Sequence, residues 1–177
     1  MLSENWAVNL LKESGTPEDV IEHCQTVHDC ALNVCDLLRE NNTLKINRRF
    51  IGIASLLHDI GRSKSHSVEH GLIGADMIRA LNTDDNPELE KIARVCETHV
   101  GAGIGPEEAK KLGLPKRDYI PKTIEEKIIA YADNMIDGNE IRSPKWCAIR
   151  FEKKFGKNSD VTKRVIELNH FFEELLS

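Results

Sequence analysis

Apolar residues recur along the chain at intervals of three and four, the spacing that places them on one face of an α-helix. Thr16-Pro17-Glu18-Asp19 predicts the start of one such helix, with an N-cap threonine, a proline at the first helical position and acids in the first turn. Gly15 directly before it predicts the end of a short N-terminal helix. The period then continues as far as a break at Asn41-Asn42, through Val20, Val27, Ala31, Val34, Leu37 and Leu38.

Similar patterns predict further helices, and no segment shows the alternation of a strand. A capping box at Thr123-Ile124-Glu125-Glu126 opens one of them. The predicted helices are 48–60, 68–81, one from Asn86-Pro87 to about Gly101, one from Thr123 to about Ile136, one from Ser143-Pro144, and 159–176. Residues 101–122 form a loop-rich insertion. We therefore predict an all-α fold, a single helical domain over 1–177 with its core at about 17–140 and C-terminal helices at about 143–177.

Composition narrows the class of protein. The 177 residues are 40% apolar and 30% charged, which suits one soluble globular domain with a sizeable core. The net charge of -5 argues against binding of duplex nucleic acid, which usually requires a strongly basic surface. No apolar run reaches the roughly 18 residues of a membrane span, and no leader precedes the first helix, so we expect a cytoplasmic protein.

The five cysteines are an odd number and contain no C-x-x-C pair. Three of them, Cys24, Cys30 and Cys35, fall on one predicted helix at spacings that suit neither a zinc site nor a disulfide framework. We expect all five to be buried free thiols that act as small apolar residues.

The stretch SLLHDIGRSKSHSVEHG, residues 55–71, places a histidine and a carboxylate where the pattern is most apolar. His58 and Asp59 end an apolar helix, and a second acid, Asp133, lies in the apolar segment 128–133. A buried carboxylate needs a partner or a metal ion. Two such acids with imidazoles available are what a buried cation requires, and the chain has seven histidines: His23, His28, His58, His66, His70, His99 and His170.

The order of these residues resembles that of the HD-domain metal-dependent phosphohydrolases, and in particular small archaeal-type HDIG proteins, over about residues 17–140. His58-Asp59-Ile60-Gly61 is an HDIG motif. Four further segments are similar to the family pattern: His23 in H-x3-V-x3-A, His70 in H-x3-G-A, His99 in E-T-H-V-G, and Asp133 at the end of K-I-I-A-Y-A-D.

This resemblance implies a helical bundle with a metal centre. It implies that His23, His58, Asp59 and Asp133 hold a first divalent ion, and that His70 and His99 complete a second site with Asp59 bridging. The mixture of imidazole and carboxylate ligands suits iron, manganese, zinc, nickel or cobalt, and the resemblance to two-metal relatives favours iron or manganese. His28 lies about 140° from His23 on the predicted helix and is expected not to be a ligand.

The resemblance also implies hydrolysis of a phosphoester or phosphoanhydride of a nucleotide or small phosphorylated metabolite, by water that Asp59 and the metal ions activate. Arg62 and Lys64 are candidates to bind the phosphate oxygens, or are two solvated loop cations. Two other functions stay open, a diiron oxygenase and a non-catalytic nucleotide-sensing module. The sequence does not fix the substrate, the metal or the oligomeric state.

Three smaller features complete the sequence-based expectations. The loop 101–105 is a lid or a simple turn. The segment Lys116-Arg117-Asp118-Tyr119 is a basic-aromatic patch that could contact a nucleotide. Trp146 and Phe151 are expected in the core rather than against a substrate. His66 either donates to a leaving group or lies in a polar loop, and His170 in the tail helix is expected to be structural.

Overall fold

The computed structural model describes residues 2–41 and 44–177, so Asn42 of the predicted break lies outside the described residues. Two short strands, β1 (Ile136–Asp137) and β2 (Glu140–Ile141), form an antiparallel hairpin, and a 3₁₀ turn spans Ile60–Ser63. Within the described ranges the α-helices are α1 (Glu4–Glu13), α2 (Glu18–Asn41), α3 (Arg48–Leu57), α4 (His70–Ala80), α5 (Pro87–Thr98), α6 (Pro106–Lys111), α7 (Ile124–Asn134), α8 (Pro144–Phe155) and α9 (Asp160–Leu176). The prediction of an all-α fold is confirmed.

Helix starts follow the capping chemistry of the sequence. The side chains of Asn86, Thr123, Ser143 and Ser159 each accept a hydrogen bond from a backbone N–H in the first turn of the helix that follows. The predicted cap at Thr16 is wrong: α2 begins at Glu18, and the buried Thr16 hydroxyl has no hydrogen-bond partner among the described residues.

The core is one continuous cluster of buried apolar side chains that runs from Ala7 in α1 to Phe172 in α9. The closest helix pairs are α4 with α5 and α2 with α3, and α7 packs against α2. The C-terminal helix α9 contacts α2, α7 and α8. All five cysteines are free and buried, as predicted. No helix of the described part is both long and apolar enough to cross a membrane.

The boundaries differ from prediction at the ends of three helices. Helix α3 ends at Leu57 rather than residue 60, and the 3₁₀ turn follows. Helix α4 begins only at His70, and α7 ends at Asn134. The hairpin after α7 was not predicted, because two-residue strands are too short to show an alternating pattern; its Gly138 has φ 61, which suits a tight two-residue turn.

The insertion 101–122 contains α6 and its own small apolar cluster, formed by Ile104, Ala109, Leu114 and Tyr119. The Tyr119 side chain is 1% exposed, and its hydroxyl donates to the backbone oxygen of Pro115 at 3.0 Å. Arg117 binds the buried carboxylate of Glu97 at 2.6 Å. The expected basic-aromatic patch is therefore wrong in its aromatic part, because Tyr119 fills the small core and cannot contact a nucleotide.

Candidate metal centre

Six elements, five α-helices and the 3₁₀ turn, bring the six sequence-predicted ligands to one place. Four of the six lie at or next to helix ends, where a side chain can turn inward without disturbing the helix: His58 and His99 follow the last residues of α3 and α5, Asp59 precedes the 3₁₀ turn, and His70 opens α4. His23 lies on α2 and Asp133 near the end of α7. Three of the histidines and Asp59 are buried, at 3% exposure or less.

Asp59 lies at the centre of the cluster. Its Oδ1 is 3.0 Å from Nε2 of His70 and 3.2 Å from Nε2 of His99. Its Oδ2 is 3.8 Å from Nε2 of His23 and 3.8 Å from Nε2 of His58. The two carboxylate oxygens therefore face different pairs of imidazoles, as a bridging carboxylate would.

Asp133 completes the side of the cluster that faces α2. Its Oδ1 is 2.9 Å from Nε2 of His23 and 3.6 Å from Nε2 of His58. Two groups of three residues have potential ligand atoms that all lie within 4.8 Å of one another: His23, His58 and Asp133, and His58, Asp59 and His99. Each group is compact enough for one ion.

Backbone carbonyls orient three of the imidazoles. Nδ1 of His58 donates to Ser55 O at 2.6 Å, Nδ1 of His70 to Ser67 O at 2.6 Å, and Nδ1 of His99 to Cys96 O at 2.8 Å. A hydrogen bond at Nδ1 fixes the tautomer, so that Nε2 of a neutral ring presents its lone pair to the cluster. This is the arrangement that metal-binding histidines adopt in proteins.

In the neutral form, the rings of His70 and His99 have no hydrogen to share between their Nε2 atoms. The Nε2 atoms of His70 and His99 are 3.1 Å apart, and both face Asp59 Oδ1. Asp59 Oδ1 and His58 Nε2 are buried and have no hydrogen-bond partner among the described residues. Buried polar atoms without partners are costly, and a divalent cation removes that cost for an imidazole-carboxylate set. The residues present therefore fit a metal ion.

The electrostatics of the cluster keep its acids ionised. Burial raises the pKa of Asp59, but the charge of His58 and the contacts with His70 and His99 outweigh it, so the pKa lies well below its ordinary value. Burial of Asp133 is likewise outweighed by His23 and His58, and its pKa is lowered. Both side chains are then carboxylates at neutral pH, the form in which they bind cations.

The pKa values of two buried histidines, His99 and His58, shift in opposite directions. Burial lowers the pKa of His99, which favours the neutral ring that a metal ligand needs. Burial also opposes protonation of His58, but the charge of Asp59 and a contact with Asp133 outweigh it, so the pKa of His58 lies well above its ordinary value. A cation that binds at His58 therefore replaces a proton.

Two glycines allow the backbones that carry these ligands to touch. A Cβ at Gly61 would lie 1.9 Å from His70 O, and a Cβ at Gly71 would lie 2.7 Å from Cys96 O. The 3₁₀ turn can therefore pack directly on α4, and α4 directly on α5. This close packing brings His70 and His99 within reach of Asp59.

A family comparison agrees with this geometry. The family model of the HD domain matches residues 20–136, a span that contains all six clustered residues. The chain belongs to the HD domain family. No solved structure matches this HD-domain chain.

The relatives of the chain include one protein of similar length and two longer ones. An uncharacterized protein of Methanocaldococcus jannaschii is 42% identical over 96% of this chain and 96% of its own length. A tRNA (cytidine(56)-2'-O)-methyltransferase of Picrophilus torridus is 36% identical over 98% of this chain but 46% of its own length. A protein of the same name from Thermoplasma volcanium is 32% identical over 98% of this chain and 47% of its own. The chain thus spans about half the length of these two methyltransferases.

The two loop cations of the HD-domain cluster differ in placement. In a 3₁₀ turn, side chains three residues apart eclipse each other, which stacks Arg62 directly over Asp59. Nε of Arg62 lies 2.5 Å from Asp59 Oδ2. Lys64 is two positions further, is exposed and does not line the cavity at the cluster. The structure brings Arg62 to the candidate site and leaves Lys64 outside it.

A cavity of about 700 Å³ opens outward from the HD-domain cluster. His23, Arg62, His70, His99 and Asp133 line its inner end. The outer part is lined by side chains that the sequence did not point to as a site, among them Val68, Ile104, Lys111, Leu112, Arg150, Lys154, Phe155 and Val161. These residues are far apart in sequence and come together only when the helices pack, so no sequence motif indicates them.

Phe151 belongs both to the core, as predicted, and to the cavity wall, and Trp146 packs partly buried against the core. The loop 101–105 is a fixed turn: Asn134 Nδ2 donates to Gly101 O at 2.7 Å, and Arg164 Nη2 donates to Gly103 O at 2.8 Å. The three histidines expected not to bind metal lie outside the cluster; they are His28, His66 and His170.

Proposed function

We propose that this HD-domain chain is a metal-dependent phosphohydrolase that cleaves a phosphoester or phosphoanhydride of a small phosphorylated metabolite, such as a nucleotide. The observation that carries the proposal is the convergence of buried, unpartnered imidazole and carboxylate lone pairs around Asp59. This cluster lies at the inner end of a cavity large enough for a compound of nucleotide size.

Two divalent ions are proposed, with iron or manganese favoured and zinc, nickel or cobalt possible. His23, His58 and Asp133 with Asp59 Oδ2 would hold one ion, and His70 and His99 with Asp59 Oδ1 the other. Bound ions of this kind lower the pKa of a coordinated water and so supply a nucleophile at neutral pH. Asp59 would bridge the ions because its two oxygens face the two sets of imidazoles.

The chain's own residues would bind and orient the phosphate. Phosphoryl transfer depends mainly on positioning and charge neutralisation. Arg62 lines the cavity beside the cluster, and its planar guanidinium matches two phosphate oxygens. Three further basic side chains, Lys111, Arg150 and Lys154, line the same cavity. This positive lining favours an anionic substrate over the oxygen chemistry of a diiron oxygenase.

The names of the longer relatives suggest a setting for the HD domain rather than its reaction. Almost all of this chain matches each of these relatives, but the matching region is only about half of each relative's length. Methyl transfer is the activity in the name of each complete relative, so it is not proposed for a chain that matches only half of that length.

Asp59→Ala tests the proposal. The wild-type protein, purified without oxygen, is expected to contain divalent metal by mass spectrometry and to release phosphate from members of a phosphorylated-metabolite panel. The variant should lose most of its metal and slow hydrolysis by orders of magnitude, with an unchanged circular dichroism spectrum. Asp36→Ala, which removes an exposed acid paired with Arg48, serves as the control.

Undiminished phosphate release by Asp59→Ala would exclude the metal mechanism. Oxygen consumption by an iron-loaded wild type that releases no phosphate from the panel would instead favour the oxygenase. Both measurements use the same preparation, so the two functions are compared directly.

A further inference from the structure

The C-terminal ends of α6 and α8 both line the outer part of the cavity, which we call its mouth. Helix α8 lies outside residues 20–136, the range that matches the HD domain family. Each helix end contributes a lysine followed by an apolar residue: Lys111-Leu112 after α6 and Lys154-Phe155 in α8. Leu112 is 47% exposed and Phe155 46% exposed, so both present apolar surface to a ligand. All four residues line the same cavity.

The α8 side of the mouth is fixed relative to the metal cluster. Phe151 packs so close to Gly101, two residues after His99, that a Cβ on Gly101 would lie 3.4 Å from the Phe151 ring. The Phe155 ring lies 5.6 Å from the Phe151 ring, centroid to centroid. Aromatic surface therefore extends from the cluster to the mouth as one wall.

A second contact holds the same helix to the other side of the cluster. Arg150 Nη2 donates to Asn134 O at 2.9 Å, directly after Asp133, and Arg150 Nη1 donates to Ile136 O at 3.2 Å. Helix α8 is thus tied to backbone next to two of the six clustered residues, His99 and Asp133. Its position determines the shape of the cavity above them.

The mouth carries unneutralised positive charge. Neither Lys111 nor Lys154 has a carboxylate partner within the part of the chain that the structure describes. Of the two acids in the lining, Asp133 belongs to the metal cluster, and Glu108 is bound by Arg164 at 2.6 Å. A lysine near a helix C-terminus also interacts favourably with the helix dipole. Lys110 and Lys153 make this interaction in the same two helices from exposed positions outside the lining, so the dipole alone does not explain why Lys111 and Lys154 face the cavity.

We propose that this mouth is a subsite for the organic part of the substrate, with a planar ring against Phe155 and Phe151 and a second anionic group between Lys111 and Lys154. The inference rests on the proposed function, which places the scissile phosphate at the cluster. The substrate class is then a nucleotide-sized compound that carries two separate anionic groups on a body with a planar ring. Leu112 and Ile104 add further apolar surface to the lining of the same cavity.

Three probes of increasing size test the subsite: ribose 5-phosphate, adenosine 5'-phosphate and adenosine 3',5'-bisphosphate. Their dissociation constants are measured by titration calorimetry on the metal-containing protein, while phosphate release is followed in the same samples. Affinity should rise in that order. Phe155→Ala should reduce the preference for adenosine 5'-phosphate over ribose 5-phosphate by about tenfold, the effect of losing one stacked ring.

A double variant, Lys111→Ala with Lys154→Ala, should reduce the preference for the bisphosphate over the monophosphate by about fivefold. That preference should also weaken as the salt concentration rises. The matched control removes Lys110 and Lys153, which have the same charge on the same two helices but lie outside the cavity lining. The control should leave both preferences unchanged.

The outcomes separate this inference from the proposed function. Ordered affinities without phosphate release support the subsite and reject the hydrolase. Phosphate release with equal kcat/KM for all three probes, unaffected by the variants, supports the hydrolase and overturns the subsite. An equal loss of preference in the Lys110 and Lys153 control also overturns it, as does failure of all three probes to bind.

Discussion

Nε of Arg62 lies 2.5 Å from Asp59 Oδ2, so the guanidinium and a metal ion would share one carboxylate oxygen. The same oxygen faces Nε2 of His23 and Nε2 of His58, each at 3.8 Å. A cation on that side of the cluster must therefore compete with Arg62 or displace it toward the cavity, where a phosphate would lie.

Arg62→Ala should consequently change metal binding and turnover in opposite directions. The variant lacks the guanidinium that competes with the metal ion for Asp59 Oδ2, so Mn²⁺ is expected to bind about tenfold more tightly, measured by calorimetry. Loss of the same group as a phosphate ligand is expected to lower kcat/KM by roughly 100-fold. Arg62→Lys should show a smaller decrease in kcat/KM, because it keeps the charge without the planar pair of donors.

Lys64→Ala provides the comparison on the same loop. Since Lys64 is exposed and outside the cavity, the change in kcat/KM should be less than about twofold. Weaker Mn²⁺ binding by Arg62→Ala would contradict the competition, and a large effect of Lys64→Ala would restore that lysine as a phosphate ligand.

His99→Ala should lower the metal content from about two ions to about one per chain. Its Nε2 lies 3.2 Å from Asp59 Oδ1, while the group formed by His23, His58 and Asp133 does not include it. Metal analysis by mass spectrometry gives the stoichiometry, and circular dichroism verifies that the helices persist. His66→Ala, which alters a histidine of the cavity outside the cluster, should retain both ions. Two ions in His99→Ala would remove that residue from the ligand set.

The residues alone indicate part of the cluster: an apolar helix that ends in His58-Asp59, and Asp133 in a second apolar segment, are acids that need a partner or a cation. The places of His23, His70 and His99 beside them were expected only from the resemblance to the HD-domain family. The contact between Arg62 and Asp59 could not be predicted. It depends on a 3₁₀ turn, whereas the pattern indicated an α-helix through residue 60.

The cavity mouth was beyond prediction for a different reason. Lys111 and Lys154 are separated by more than forty positions and line one cavity only in the folded chain. Their sequences read as ordinary helix ends, with basic residues in the last turn. Likewise, Tyr119 lies in a polar segment that suggests exposure, yet the insertion folds its own small core around it.

Gly61→Ala should destabilise the protein, because the new methyl group would meet the backbone of α4 rather than a flexible side chain. We expect a loss of about 3 kcal/mol in the free energy of unfolding, measured by urea titration, together with weaker metal binding as His70 moves from Asp59. Gly105→Ala is the control, since its Cβ would meet only Glu108 Oε2, at 3.9 Å, and should cost no more than about 1 kcal/mol. Equal stability of the two variants would show that the backbones need not touch.

The buried thiols should make the protein less stable in alkali. Burial raises the pKa of Cys30 and of Cys147 to about 11, whereas an exposed thiol titrates near 8.5. Between these values the unfolded chain has released thiol protons that the folded chain retains, so the unfolded state binds fewer protons. The free energy of unfolding must then fall as the pH rises from about 8.5 toward 11.

Ellman's reagent provides the complementary measurement at pH 8. The native protein should show no fast-reacting thiol, because all five cysteines are free but buried, and burial raises the pKa of each. In guanidinium chloride, five thiols per chain should react. A fast-reacting thiol in the native protein would show that one cysteine is accessible, and a stability that does not decline above pH 8.5 would contradict the raised pKa values.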